Sequence, residues 1–314
     1  MKKIALLGLG KMGQNHLRIL SMLKDVEIVG IYDTNVELLT KHCQALGIKV
    51  PSTVEEAVKD AESVVICSPT STHADFIFKV AADGIKHIFV EKPMADTLAS
   101  SIKVRDLAKE QGLNIQVGFI ERFNPAIAEI KKILGTAEHV ISIDFFRTNK
   151  LSARITDVDV VTDLMIHDID LALYLNGPAK QVEAKGVVKN DMIEFAIATL
   201  THTNGRFSRI QTSRITEKRI RSVQATCTDM YVDCNLLRKE IIIHRDSKTN
   251  QVEGEAYKIS SQEESVEVRP QEALLTELQV FVQSISNPNT IKPSEDAGLA
   301  AMEICDLIRK SVLS

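Results

Sequence analysis

Lys3-Ile4-Ala5-Leu6-Leu7-Gly8-Leu9-Gly10-Lys11-Met12-Gly13-Gln14-Asn15-His16 is the stretch that decides the fold. A short apolar run enters a turn with glycines at 8, 10 and 13, and an amphipathic pattern follows with Leu17, Leu20 and Leu23 on one helical face. This is a buried strand, a glycine turn and a helix, the context in which G-x-G-x-x-G signals dinucleotide binding. The glycines permit a tight turn, close approach of backbone to a pyrophosphate, and close packing of helix on strand. The free N–H groups and positive dipole of the helix start favour the phosphates. Gly8, Gly10, Lys11, Met12 and Gly13 are therefore the first cofactor-binding candidates. The apolar run is too brief for a secretory leader and passes directly into Lys11, Gln14 and Asn15.

A second apolar run, 27–32, ends at Asp33, twenty residues after Gly13. A carboxylate at that point accepts hydrogen bonds from both adenosine ribose hydroxyls and repels a 2′-phosphate. Thr34 and Asn35 follow, with no arginine in the stretch, so the pattern favours NAD over NADP. The alternative role for Asp33 is to cap the helix that begins just beyond it.

Working outward, short apolar runs flanked by turn residues recur at 63–67, 87–90 and 115–118, each separated by a helical pattern. They are apolar throughout, as expected of parallel strands covered on both faces. After Phe123 the rhythm changes. Helical patterns at 125–134 and 162–175 bracket a strand at 139–146, and strands at 192–201 and 206–213 flank Asn204-Gly205, a strong hairpin signal. Strands at 219–226, 230–235 and 240–244 continue the antiparallel pattern, and helical patterns return at 271–286 and 295–312. The fold expected is α/β: a Rossmann domain over 1–120 and an α+β domain over 121–314 with an open, mostly antiparallel sheet, the C-terminal helix packing back on the body of the protein.

Composition narrows the partners. The chain has 314 residues, 44% hydrophobic and 25% charged, with a formal net charge of −4, which is ordinary globular usage without a basic footprint for nucleic acid. No run is long enough to span a membrane. The five cysteines are odd in number and form no C-x-x-C pair, which suits a reducing cytoplasm better than a disulfide framework or a zinc site, and no metal is expected.

Ligands of an open parallel sheet sit at the carboxyl ends of its strands. Two such ends stand out: Cys67-Ser68-Pro69-Thr70-Ser71-Thr72-His73 and Glu91-Lys92-Pro93. With the glycine turn, and with Asp163-Leu164-Met165-Ile166-His167 at a helix start, they resemble the marks of the Gfo/Idh/MocA oxidoreductase family. The resemblance covers the whole chain. It implies NAD as cofactor, with Ser68, Pro69, Thr70, His73, Glu91 and Lys92 joining the cofactor site, and homodimers or homotetramers as the usual assembly. It also implies that Lys92, Asp163 and His167 surround the carbon that loses hydride.

Physical chemistry supports these residue types independently. Oxidising an alcohol moves hydride to the nicotinamide while a base takes the hydroxyl proton. Histidine is the residue type suited to that proton transfer, which makes His167 a candidate, and a lysine such as Lys92 can serve as base if desolvated or as a cation stabilising the alkoxide. A spacing of four places Asp163 and His167 on one helical face. Singly, each has a structural alternative: a solvated lysine, a capping aspartate, a core histidine. His16, Cys43 and Cys67 read as structural.

Two further segments, Glu121-Arg122-Phe123-Asn124-Pro125 and Arg154-Ile155-Thr156-Asp157-Val158-Asp159-Val160-Val161-Thr162-Asp163, resemble the branch of that family that acts on C3 of UDP-N-acetylglucosamine. Arg122, Asn124 and Arg154 become substrate candidates, as cations for a diphosphate and a polar group for hydroxyls. Arg122 could instead form a hinge ion pair, and Asn124 could cap the helix after Pro125. Asp159 stands where that branch has glycine. Another sugar or inositol dehydrogenase, or a non-catalytic NAD-binding regulator, is the alternative. Asp33→Ser should raise the KM for NAD and improve relative use of NADP; an unchanged preference in steady-state kinetics would remove Asp33 from the cofactor site.

Overall fold

The computed structural model describes residues 1–149, 158–250 and 258–314. The chain forms two compact units, one of Met1–Ile120 with Glu272–Glu303 and one of Glu121–Gln271 with Ile304–Ser314.

In the first unit, strands β1 (Lys2–Leu7), β2 (Val26–Tyr32), β3 (Ser63–Ile66), β4 (His87–Glu91) and β5 (Asn114–Gly118) form a parallel sheet in the order β2-β1-β3-β4-β5. Helices α1 (Lys11–Met22), α2 (Val36–Leu46), α3 (Val54–Val58), α4 (His73–Ala82) and α5 (Leu98–Gln111) provide the crossovers. The central strands read as unbroken apolar runs because they are buried on both faces: all four residues of β3 are buried, as are the last four of β1 and of β4. The chain order reverses between β1 and β3, so the carboxyl ends of these two strands frame the ligand crevice.

The division differs from the expected 121–314 second domain. Leu274, Leu278 and Phe281, from the helix Ala273–Ser286, share one apolar core with Ile4, Leu20, Ile31 and Phe89. Gln116 donates to the Glu277 carbonyl at 3.0 Å, and the Val117 N–H donates to the Pro293 carbonyl at 2.9 Å. Apolar burial and edge pairing thus return a late segment to the first unit. Periodicity revealed the helix but not its destination.

The second unit is built on an eight-stranded sheet. Strands β6 (Val140–Thr148), β7 (Ala179–Lys189), β8 (Met192–His202), β9 (Phe207–Ser213), β10 (Ile220–Cys227), β11 (Met230–Asn235), β12 (Glu240–Asn250) and β13 (Lys258–Val266) run in the order β13-β12-β11-β10-β6-β9-β8-β7. Among the described residues of this sheet, only the β6–β9 pair is parallel. The hairpin expected at Asn204-Gly205 joins β8 to β9, with Gly205 at φ 86°. β7 and β13 were not expected. Both are edge strands, and the sequence of β7, mostly exposed, lacks the alternation that a half-buried strand shows. Helices α6 (Pro125–Thr136) and α7 (Ile166–Asn176) pack on this sheet, α7 against β6 and β9 and α6 against β12.

Charge as well as apolar area holds α7 in place. Arg147 of β6 is only 1% exposed; its Nε and Nη2 donate to the two Asp168 oxygens, both at 2.8 Å, and its Nη1 donates to Glu121 at 2.9 Å. Two residues further along α7, Asp170 accepts both arms of Arg122 at 2.8 and 2.6 Å. Burial raises the Asp168 carboxyl and pushes Asp170 up to about 6. Burial would also raise Glu121, but Arg147 and Arg221 outweigh it and hold that carboxyl below its ordinary value.

Among the described residues no helix is long and apolar enough to cross a membrane, and all five cysteines are buried free thiols. Removing Arg147 leaves two buried carboxylates facing one another, so Arg147→Ala should cost about 3–5 kcal/mol in urea unfolding. A loss below about 1 kcal/mol, the scale of an exposed pair, would show that the network does not carry this part of the fold.

Candidate functional site

Three glycines in the β1–α1 turn meet three different demands. Gly8 adopts φ +98°, and a Cβ there would stand 2.5 Å from Ser68 N at the end of β3. A Cβ on Gly13 would stand 1.9 Å from the Gly8 carbonyl oxygen, so α1 sits directly on the turn. A Cβ on Gly10 would meet nothing within 4 Å, because Gly10 borders a cavity of about 400 Å³. Helix α1 opens onto that cavity with no side chain capping its amino end and no acid in its first turn. Exposed backbone N–H groups, a bare glycine and the helix dipole fit a dinucleotide pyrophosphate.

Asp33 closes the turn from the other side. Its Oδ2 accepts the Leu9 N–H at 2.5 Å and its Oδ1 accepts the Asn35 N–H at 2.7 Å. The cap of α2 is Asn35, whose Oδ1 accepts the Leu38 N–H at 3.0 Å, so the capping alternative falls to Asn35 and not to Asp33. Each Asp33 oxygen has a further lone pair with which to accept a ribose hydroxyl.

The ends of β3 and β4 complete the cavity wall. Thr72 Oγ1 donates to Ser68 Oγ at 2.7 Å, which folds Ser68, Pro69 and Thr70 over the edge of the cavity. His73 is 1% exposed, and its ring joins the two loops, with Nδ1 2.8 Å from the Pro93 carbonyl and Nε2 2.9 Å from the Ser68 carbonyl. Burial pushes its pKa down, although both carbonyls oppose that shift. Glu91 accepts the Lys92 N–H at 3.2 Å through Oε2, while Oε1 lies 2.7 Å from Nε2 of the fully buried His16.

The cavity thereby gathers most of the expected cofactor residues. Gly8, Gly10, Lys11, Met12, Asp33 and Thr34 line one side, and Ser68, Pro69, Thr70, His73, Glu91 and Lys92 line the other. Gly13 lies behind them, packed on Gly8. Cys67 also lines the cavity. His16 does more than fill the core: it orients the carboxylate next to Lys92. The hint in the sequence is a histidine one helical turn beyond Gly13 on an otherwise apolar face. His16, Cys67 and Glu91 bring imidazole, thiol and carboxylate atoms within 4.8 Å of one another. Burial, with Glu91 and Glu277 nearby, raises the Cys67 thiol well above its ordinary value.

In the second unit, Asp163 lies in a π-helical turn, Val161–Met165, that runs into α7, where His167 is the second residue. The expected helix 162–175 is therefore a π turn followed by an α-helix, a distortion common at functional sites. Asp163 and His167 are both half-buried. Asp159 adopts no positive φ and needs no glycine. Its Oδ1 accepts the Val161 N–H, the Thr162 N–H and the Thr162 hydroxyl, each at 3.0 Å, and its Oδ2 pairs with Arg309 Nε at 2.7 Å. Asp159 thus caps this turn, a role that its place in a loop-like sequence concealed. Arg122 is bound by Asp170, and Asn124 caps α6 by accepting the Ala126 N–H at 3.1 Å. Arg154 lies outside the described residues.

Comparison with known proteins adds the following. A family model described as an oxidoreductase family with an NAD-binding Rossmann fold matches residues 2–119, and a GFO/IDH/MocA C-terminal domain model matches residues 139–232. The chain is 27% identical to a UDP-N-acetylglucosamine 3-dehydrogenase of Acidithiobacillus ferrooxidans, over 90% of this chain and 88% of that one. It is also 27% identical to an inositol 2-dehydrogenase of Rhizobium meliloti, over 99% and 96% of the two chains. The solved structure of the Acidithiobacillus enzyme superposes with a TM-score of 0.88 over 99% of this chain and 97% of its own, at 24% identity, a likeness of fold.

The contrast between Gly10 and Gly13 is testable. Gly10→Ala should keep the melting temperature while weakening NADH binding, whereas Gly13→Ala should lower the melting temperature itself. Equal effects of the two on NADH titration and thermal unfolding would contradict the separate roles.

Proposed function

The chain belongs to the Gfo/Idh/MocA family of NAD-binding oxidoreductases, and we propose that it oxidises a sugar hydroxyl to a ketone, at C3 of UDP-N-acetylglucosamine. The observation that carries the dehydrogenase reading is the place of Lys92, lining the same cavity as Gly8, Gly10 and Asp33. A cation beside a dinucleotide cleft can hold a substrate hydroxyl and stabilise the charge that grows on its oxygen. The nucleotide-sugar reading is supported by the similarity to the Acidithiobacillus enzyme over nearly the whole length of both chains.

Gly8, Gly10 and the start of α1 would hold the pyrophosphate of NAD, and Asp33 the adenosine ribose. Bound NAD supplies the acceptor for the hydride that leaves the substrate carbon. Lys92 orients the hydroxyl, and either Lys92 or His167 takes its proton, the C–H electron pair leaving as hydride and the O–H pair closing the C=O bond. Asp163 orients His167 or a neighbouring substrate hydroxyl. The His16–Glu91–Lys92 connection fixes the backbone from which Lys92 projects.

The similarity to an inositol dehydrogenase over 99% of the chain favours a second reading, oxidation of a free polyol. The retention of Lys92, Asp163 and His167 argues against a non-catalytic regulator. Growth of NADH absorbance on mixing the protein and NAD with UDP-N-acetylglucosamine, but not with myo-inositol or glucose, is the expected result; production with none of them would restore the regulator. Lys92→Ala and His167→Ala should each lower kcat by about 10²–10⁴-fold with NADH affinity preserved. Near wild-type turnover in both would end this assignment.

A further inference from the structure

Outside the residues assigned so far, the second unit carries a cavity of about 410 Å³ lined by Lys218, Arg219, Arg221 and Arg238, together with Asn235. It forms where β10 begins and β11 ends. Asn235 shapes its rim, its Oδ1 accepting the Leu237 and Arg238 N–H groups at 3.1 Å each, and the Leu236 N–H donates to the Arg221 carbonyl at 2.9 Å. Four cations thus converge from two adjacent chain segments on one concavity.

Among the described residues their counter-charges are few. Glu121 lies 3.4 Å from Arg221 Nη1, yet the same oxygen already accepts from Arg147 at 2.9 Å. Glu240 stands 3.9 Å from Arg238, beyond hydrogen-bond reach. Arg221 is partly buried, its Nε makes no hydrogen bond, and burial together with the nearby Arg147 and Arg219 cations pushes its pKa down. Like charges held together around one concavity mark a site that gains from an anion.

Sheet register relates the cavity to the candidate chemistry of this unit. Arg221 pairs across the β10–β6 ladder with Arg147, and Arg147 holds Asp168, the residue directly after His167. Thr148, next on β6, donates to the Lys218 carbonyl at 2.5 Å. The cavity and the start of α7 therefore occupy the same end of the sheet.

We propose that this cavity is a phosphate-recognition site, in which Arg219, Arg221 and Arg238 bind the diphosphate or phosphate ester of a small molecule. Guanidinium forks match phosphate oxygens two at a time, and four cations exceed what a lone carboxylate would need. Only the identity of the ligand rests on the function proposed above: a nucleotide-sugar substrate supplies a diphosphate itself, and a separate phosphorylated effector would present the same chemistry.

Calorimetric titration of the NADH-saturated protein tests the site, because the occupied glycine turn is then closed to the probes. Inorganic pyrophosphate and UDP should bind wild type, uridine should not, and Arg219→Ala/Arg238→Ala should weaken both anions at least about tenfold. Both arginines are exposed, so an unchanged melting temperature is expected alongside. Equal affinity in wild type and variant, or no binding of pyrophosphate by wild type, overturns the site. With UDP-N-acetylglucosamine as substrate, a tenfold rise in KM at constant kcat identifies the anion as the substrate's own. An unchanged KM with pyrophosphate binding lost identifies a separate phosphorylated ligand. If UDP-N-acetylglucosamine is not oxidised while the variant still loses pyrophosphate, the nucleotide-sugar reading falls and the cavity stands.

Discussion

The seating of α1 on the glycine turn, backbone against backbone at Gly13 and Gly8, is the constraint from which the first unit's chemistry follows. A helix held one side chain further away would not bring His16 within 2.7 Å of Glu91. Without that contact the Glu91 carboxylate, which accepts the Lys92 N–H, would lose one of its two anchors. The glycine that permits close packing thus governs more than the turn itself. It sets where the neighbouring strand end presents its lysine, through one buried imidazole.

The second unit solves a different problem by different means. Its helix α7 carries Asp168 and Asp170 inward, where unpaired carboxylates would be costly, and answers each with an arginine in bidentate geometry. Replacing such a network with apolar side chains of equal volume often costs little stability, so its value is better sought in position than in strength. Bidentate pairs fix rotation about the helix axis in a way that leucines would not. Asp159 adds a second restraint at the other end of the π turn, so the backbone bearing Asp163 and His167 is held from both sides.

Much of the first unit could be read directly from the chain, because parallel strands buried on both faces leave continuous apolar runs and the glycine turn needs glycine at fixed spacing. The lining of the cavity was legible for the same reason: Asp33, Ser68 and Lys92 follow strand ends that the runs locate. What escaped lies in contacts between distant segments. His16 and Glu91 are 75 residues apart, and no local pattern announces their meeting. Asp159 as a cap was hidden because the turn it starts is π-helical, with a period that an α-helical reading does not seek. The strands β7 and β13 were missed because edge strands need only one partner and little burial, so their sequences stay polar. Arg122 and Asn124 take up the ion-pair and helix-cap roles that their residue types allow, with Asp170 and at the start of α6, and the sequence could name the role but not the partner of Arg122.

The return of Glu272–Glu303 to the first unit bears on how the protein is made. On the ribosome, the glycine turn and all five parallel strands emerge early, yet Leu278 and Phe281, which finish their core, are translated only after the entire eight-stranded sheet. The nascent Rossmann segment must wait with part of its apolar face uncovered, a state that invites chaperones. Neither unit is one contiguous stretch of chain, so a proteolytic nick or a truncation before residue 272 would deprive both of residues they need. A discontinuous division of this kind makes the integrity of the first unit depend on segments synthesised after the second sheet.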